Sequence, residues 1–408
     1  NIKGINSSTS SGLVLFSTAG AGTGNNNNTV EYCSISREIT DPVKYPCNLI
    51  YSAGTLANPN TGNIIQYNRL FDFTKTDNLN NDVSAAVYLH SNNSSWNVNG
   101  NIIYQSTILP NASNLLFHCG IYIYNEKNFN TIITNNVIGG ENNDNSGTWA
   151  YNSHSKYVYR GISITNPLQT PSDASVNMIQ SNTIKNIFLK SLETGTINFK
   201  GIEILYGVSN TKNIVENCRI ENIQVSYSPT SSSNRIVCID VTSSYGETYI
   251  RDNTISNISQ VPNVNTIAFD IQAIYLNFND VSVIKCLIEN NTISNITAGG
   301  DVSDKKFVAT GIHNHRCKNV EIFNNRISDI KIKNSSNPES QIIGIYGEFF
   351  YTTSNTCKVY NNMISLGDNF TSNAKIYGIK EYKPNSECYY NSFHIPGTAP
   401  SGSNSPYS

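Results

Sequence analysis

Glu203 and Asp240 are the pair of acidic residues whose placement could support acid–base chemistry. Each follows a small residue and an aliphatic one, in Gly201-Ile202-Glu203 and Cys238-Ile239-Asp240. If the two tripeptides occupy adjacent turns of one coil, the carboxylates come within ~5 Å, the separation that retaining glycosidases use. The plainer expectation is two solvated acids on a sheet face. His313, His315 and Cys317 alternate, so a continuing strand would place three ligand types suited to Zn²⁺ on one side. Only three ligands are in view, at a strand-to-turn junction. The plainer expectation there is exposed polar side chains beside a packing or bridged cysteine, with no metal and no cofactor. Tyr122, Tyr275 and Tyr346 share the column of Glu203, while Trp149, Tyr151, His154 and Tyr159 cluster between Gly139 and Tyr159. Exposed aromatic rings suit the stacking of sugar rings, and long loops on a rigid scaffold carry binding. These seven are the ligand-binding candidates; the plainer expectation for the insertion is that it folds back to cover a sheet.

What must position them is a repeat. Asn291 lies in Asn290-Asn-Thr-Ile-Ser-Asn-Ile296, and the same pattern returns at Asn68, Asn101, Asn136, Asn182, Asn253, Asn325, Asn362 and Asn391, with Cys33 and Cys218 at two further positions. Successive spacings are 35, 33, 35, 46, 36, 35, 38, 34, 37 and 29 residues, which marks a repeating unit with one insertion. Neighbouring columns are ordered too. Two residues on stand Ile138, Ile184, Ile220, Ile255 and Ile293; half a period on comes a small residue followed by an aliphatic one, as in Gly120-Ile121, Gly161-Ile162 and Gly311-Ile312. Short Ile/Val strands on a ~35-residue period, with no helical pattern, predict an all-β, single-stranded, right-handed parallel β-helix of about eleven rungs, continuous over 1–408. Identical asparagines stacked at the ~4.8 Å strand spacing can form an amide ladder, and Asn tolerates the left-handed backbone of a tight turn. A second, partial ladder is expected at Asn186, Asn222, Asn257, Asn295 and Asp329.

Composition narrows the partners. Formal charge is −2 with 14% charged residues, and no basic run exists, so neither nucleic acid nor an anionic membrane is an expected partner. There is no apolar run of the ~18 residues that a membrane span needs. Asparagine, 63 of 408 residues, gives a hydrated polar surface. The chain starts without Met and without a leader pattern, and it stops partway through a repeat, so it reads as a piece of a longer polypeptide. Nine cysteines include no CxxC pair; Cys33, Cys218, Cys238 and Cys388 fall in inward or small-residue columns and read as packing thiols.

The Gly-Ile-x-Ile segments paired with Asn-Asn-x-Ile-x-Asn-Ile segments, together with Tyr389-Tyr390-Asn391-Ser392, resemble the right-handed parallel β-helix repeats, pectate-lyase-like in fold, of large Bacteroidota surface proteins. The resemblance covers about residues 10 to 395. It implies a secreted or cell-surface adhesin exported by the type IX system. The expected role is a non-catalytic structural or adhesive section, a stalk or filament that contacts surface glycans or other cells, neighbouring modules of the same chain or copies of itself. Two alternatives share the fold: a carbohydrate-active enzyme, lyase or glycoside hydrolase, and a viral or phage spike. No Asp-Asp pair or Gly-His-Gly of a hydrolase of this fold is present, so that family's catalytic residues do not carry over.

Overall fold

Isoleucine and valine at alternate positions stiffen short extended segments and give each one buried face. The computed structural model describes residues 1–396 except 19–21, 39–43, 76–81, 110–115, 125–129, 154–156, 167–174, 193–195, 206–210, 228–233, 243–245, 263–268, 279–282, 300–305, 318, 334, 349–356, 368–371 and 383–385. The described residues form strands and turns without a helix, arranged as a parallel β-solenoid with three long sheets. One turn shows the plan. Ser175–Gln180 lies in sheet 1, Thr183–Ser191 in sheet 2 and Ile197–Leu205 in sheet 3, and each pairs in parallel with its equivalents on neighbouring turns. Sheets 1 and 3 hold eleven strands each and sheet 2 holds thirteen, with a separate two-stranded patch at Asn60–Thr61 and Asn93–Ser94. The turns are not equivalent rungs: in sheets 1 and 2, strands of two to four residues at the first turns lengthen to six to nine between Ser175 and Pro262.

The core is a stack of identical side chains one layer deep. Ile138, Ile184 and Ile220 are in direct register, followed by Ile255, Ile293, Ile327 and Ile364, all buried. Each such isoleucine contributes about 1.5–3 kcal/mol by leaving water. Sheet 3 bends at its small-residue column, where the chain runs close to the isoleucines of sheet 2. A Cβ on Gly201 would meet Cys238 O at 2.5 Å and Ile220 Cδ1 at 2.7 Å. This proximity explains why the column reads Gly, Ala or Cys.

The asparagine ladder forms at the corner between sheets 1 and 2. Asn101 Oδ1 accepts from both the backbone N–H and the side-chain amide of Asn68, each at 3.0 Å, and Asn136 and Asn182 continue the same two bonds. The series resumes from Asn253 through Asn291, Asn325 and Asn362 to Asn391. At the gaps, the backbone N–H of Cys33 and of Cys218 still donates to the next asparagine, at 2.9 Å, but the thiol transmits no amide bond. The left-handed conformation does not belong to the ladder residue; it belongs to the one before it, as at Ser181, Asn217, Asp252 and Asn290 (φ 53–57°). Asn186, Asn222, Asn257 and Asn295 are left-handed themselves. Cys218 and Cys238 are buried as expected, Cys33 is half-buried, and Cys388 is exposed.

The 46-residue interval is resolved locally. Trp149–Ser153 pairs in parallel with Thr183–Ser191 and so belongs to sheet 2. The excursion from the repeat is confined to about 139–148.

Candidate functional site

Sheet 3 carries the acidic pair in the column the sequence indicates: Ser163, Glu203, Asp240, Tyr275, His313, Tyr346 and Lys380 follow one another in register on the outer face. Its surroundings differ from the expectation. Glu203 and Asp240 are 0% and 1% exposed. The neighbouring outward column, across the bend, brings Arg160 and Lys200 over them. Lys200 Nζ lies 2.5 Å from Glu203 Oε1 and 2.8 Å from Asp240 Oδ2. Arg160 Nε is 2.5 Å from Glu203 Oε2, an ion pair by distance although its N–H is not aimed at the oxygen. Ser163 Oγ donates to Glu203 Oε2 at 2.7 Å, and Thr242 Oγ1 donates to Asp240 at 2.8 Å. Burial alone would push the Glu203 carboxyl up, but Arg160 and Lys200 outweigh it and hold the group below the usual carboxylate range. Burial would likewise lower Lys200, and the two carboxylates hold it above its ordinary value instead. This is a closed, charge-balanced group of four, and the expectation of solvated acids is corrected.

Beside it opens a recess of about 760 Å³. Its lining includes Asn198, Lys200, Arg235, Asp270, Lys306, Thr310, His313 and Tyr346. Arg235 spreads its guanidinium 3.9 Å above the Tyr275 ring and bonds to Gln272 Oε1. Gln272 Nε2 donates to Asp270 Oδ2 at 2.8 Å and lies 2.9 Å from His313 Nδ1. His313 Nε2 faces Glu348 at 3.3 Å, and its ring stacks on Tyr346 at 4.6 Å. The Asp270 side chain is 35% exposed, yet its Oδ1 is sealed and has no hydrogen-bond partner among the described residues. Burial pushes that carboxyl up against the pull of Arg235, while hydrogen bonding from His313 holds Glu348 down.

The metal candidate separates. His313 and His315 lie on the outer face and share Glu348, at 3.3 and 3.7 Å. The strand ends at His315, Arg316 takes φ 68°, and Cys317 turns into the core. Among the described residues no group of three or more His, Cys, Asp or Glu side chains is placed to hold a metal ion.

The aromatic candidates also divide. Trp149, Tyr151 and Tyr159 are fully buried, because period-two alternation in their strands turns them inward. Tyr151 stacks on Tyr157 at 3.9 Å, and Tyr159 on Phe199 at 5.6 Å. They are core, not a sugar platform. Tyr122 is buried between Tyr88 and Tyr124, Tyr275 lies under Arg235, and His154 lies outside the described residues. Of the seven, Tyr346 lines the recess. Arg235, Asp270, Gln272 and Lys306 do not stand out in the sequence because they lie outside the column after the small residue. The columns before it, Asn198-Arg235-Asp270 and Arg160-Lys200-Val237-Gln272, held the signal.

Compared with known proteins, the chain matches no family model and no curated protein.

Proposed function

We propose that this chain is a rigid, non-catalytic section of an extracellular or cell-surface protein that holds a glycan in the sheet 3 recess without turning it over. The observation that carries this reading is the closed group Arg160–Lys200–Glu203–Asp240. The paired carboxylates best placed for glycoside chemistry are fully buried and bound to two cations, so neither is available to exchange a proton with a substrate. The recess beside them offers charged and amide hydrogen-bonding groups and the Tyr346 ring, which suit binding. Two long runs of the asparagine ladder and stacked isoleucines supply the stiffness a stalk or adhesive surface needs.

A second reading rests on Asp270. A carboxyl that lines the recess and is held up by burial has the character of a general acid, as a carbohydrate-active enzyme would require. One experiment separates the two: a glycan array on the purified chain, with every bound glycan then assayed for reducing ends and for unsaturated products. Binding weakened at least tenfold by Arg235→Ala or Tyr346→Ala, with no product, supports the binding module. Turnover abolished by Asp270→Asn supports the enzyme and sinks the first reading.

A further inference from the structure

Sheet 2 carries a second feature, on a different face from the recess. Two shallow depressions of about 320 and 240 Å³ share Thr148, Phe188 and Gln224 in their linings. They are therefore neighbouring parts of one groove. Its floor is two lanes running along the coil. One lane is the left-handed corner, where Asn222 Nδ2 donates to Asn186 Oδ1 at 3.0 Å, Asn257 to Asn222 at 3.1 Å, and Asn295 to Asn257 at 2.5 Å. The other is the outward column Ala150, Phe188, Gln224, Ser259 and Thr297, in strict register. The 139–148 excursion forms one wall through Glu141 and Thr148.

Three properties converge on one kind of ligand. Along the two lanes from Ala150 to Thr297 there is no charged side chain, and at the next turn Asp329 and Lys331 neutralise each other at 2.6 Å. Glu141 on the wall adds one carboxylate, which repels polyanions. Within the ladder Asn222 and Asn257 each use one amide hydrogen and one oxygen lone pair, Asn186 gives a hydrogen to Asn145 O instead, and a primary amide has two of each, so a row of donors and acceptors remains at the ~4.8 Å strand spacing. Half-buried Phe188 interrupts this polar row with a single aromatic ring. Regularly spaced hydroxyl groups and an intervening apolar ring face are the complement. We infer that this groove holds a stretch of uncharged polysaccharide, one sugar ring against Phe188 and flanking hydroxyls bonded to Asn186, Asn222, Asn257 and Gln224. It is independent of the sheet 3 recess, and each can fail without the other.

The test is affinity electrophoresis of the 408-residue chain through gels containing a soluble β-glucan, a galactomannan or a xylan, with a polyuronate gel as the anionic comparison. Retardation is expected in at least one neutral gel, with the apparent affinity lowered about tenfold by Phe188→Ala and severalfold by Gln224→Ala. Lys358→Ala, on the outer face of sheet 1 and outside both sites, should leave that retardation unchanged. Unaltered thermal melting confirms that the Phe188 variant is folded; should it melt early, Gln224→Ala and Asn222→Ala carry the decision. Absence of retardation in all three neutral gels overturns the inference. So does retardation that the groove variants leave intact, or that Lys358→Ala abolishes.

Discussion

Replacing Glu203 by Gln is the sharpest probe of the sheet 3 charge group. The substitution keeps shape and the acceptor for Ser163 but removes one of two negative charges from a mostly buried group with two positive ones, leaving a net positive charge beside the recess. Removing one partner of a buried ion pair costs about 3–5 kcal/mol, whereas an exposed pair contributes about 0–1 kcal/mol. Since Glu203 is fully buried and meets two cations, the expected loss is about 3–4 kcal/mol at pH 7. Adding Lys200→Met restores neutrality between Arg160 and Asp240, and should recover about 1–3 kcal/mol as a non-additive coupling. Urea is the denaturant of choice because it leaves electrostatics unscreened. A solenoid can melt in segments, so the local readouts are hydrogen exchange at the Ile202 and Ile239 amides and the emission of Trp149, whose ring meets Tyr159 at 5.3 Å. Tyr159 in turn stacks on Phe199, in the strand of Glu203. A loss below about 1 kcal/mol, or strict additivity of the two substitutions, would refute the reasoning and return the pair to the status of solvated acids.

Other outcomes follow from the same geometry. Because the Glu203 carboxyl is held below its unfolded value, its stabilisation is complete above about pH 4.3 and is lost as pH falls through the folded value. The urea midpoint of the parent chain should therefore drop more steeply below pH 4 than that of Glu203→Gln. Asp270 has the opposite sign: its raised carboxyl favours the fold below about pH 3.9 and the benefit fades as pH rises through the folded value, so Asp270→Asn should raise the urea midpoint at pH 7 and not at pH 3. Asn291→Ala removes bonds to Asn325 and Ile250 O and orphans two donors of Asn253; a cost of about 2–5 kcal/mol is expected, against under about 1 kcal/mol for Asn257→Gly in the exposed ladder, where glycine keeps the left-handed turn, both read by urea titration. Gly201→Ala drives a methyl against Cys238 O and should cost about 1–3 kcal/mol in the same assay.

Periodicity made the architecture legible. The stacking of Ile138 on Ile184 and Ile220, and the register of Glu203 with Asp240, were both readable because a parallel coil maps sequence offset directly onto lateral neighbours. Accessibility was not readable, because it depends on what leans across from the next column. Arg160 and Lys200 are separated from Glu203 by the glycine bend, and nothing in the strand period says that they fold over it. Single dihedral reversals were equally hidden: the left-handed turn at Arg316 takes Cys317 away from His313 and His315. The insertion misled for a related reason. Trp149 and Tyr151 look like a loop's display of aromatics until the strand they occupy is found to pair with Thr183–Ser191.

The break in the asparagine series has a mechanical side. Within each run every amide but the last donates to the asparagine of the following turn and also to a carbonyl of the preceding turn, so each uninterrupted run behaves as one aligned filament inside the wall of the coil. Cys218 divides that filament into a shorter length ending at Asn182 and a longer one from Asn253 to Asn391. Pulled from its ends, such a coil unspools by peeling one turn after another, and a peel front travelling through one filament meets a seam at Cys218. Force traces from an optical trap should show two groups of rupture steps divided at that seam, and Cys218→Asn, by splicing the filament, should merge them into one.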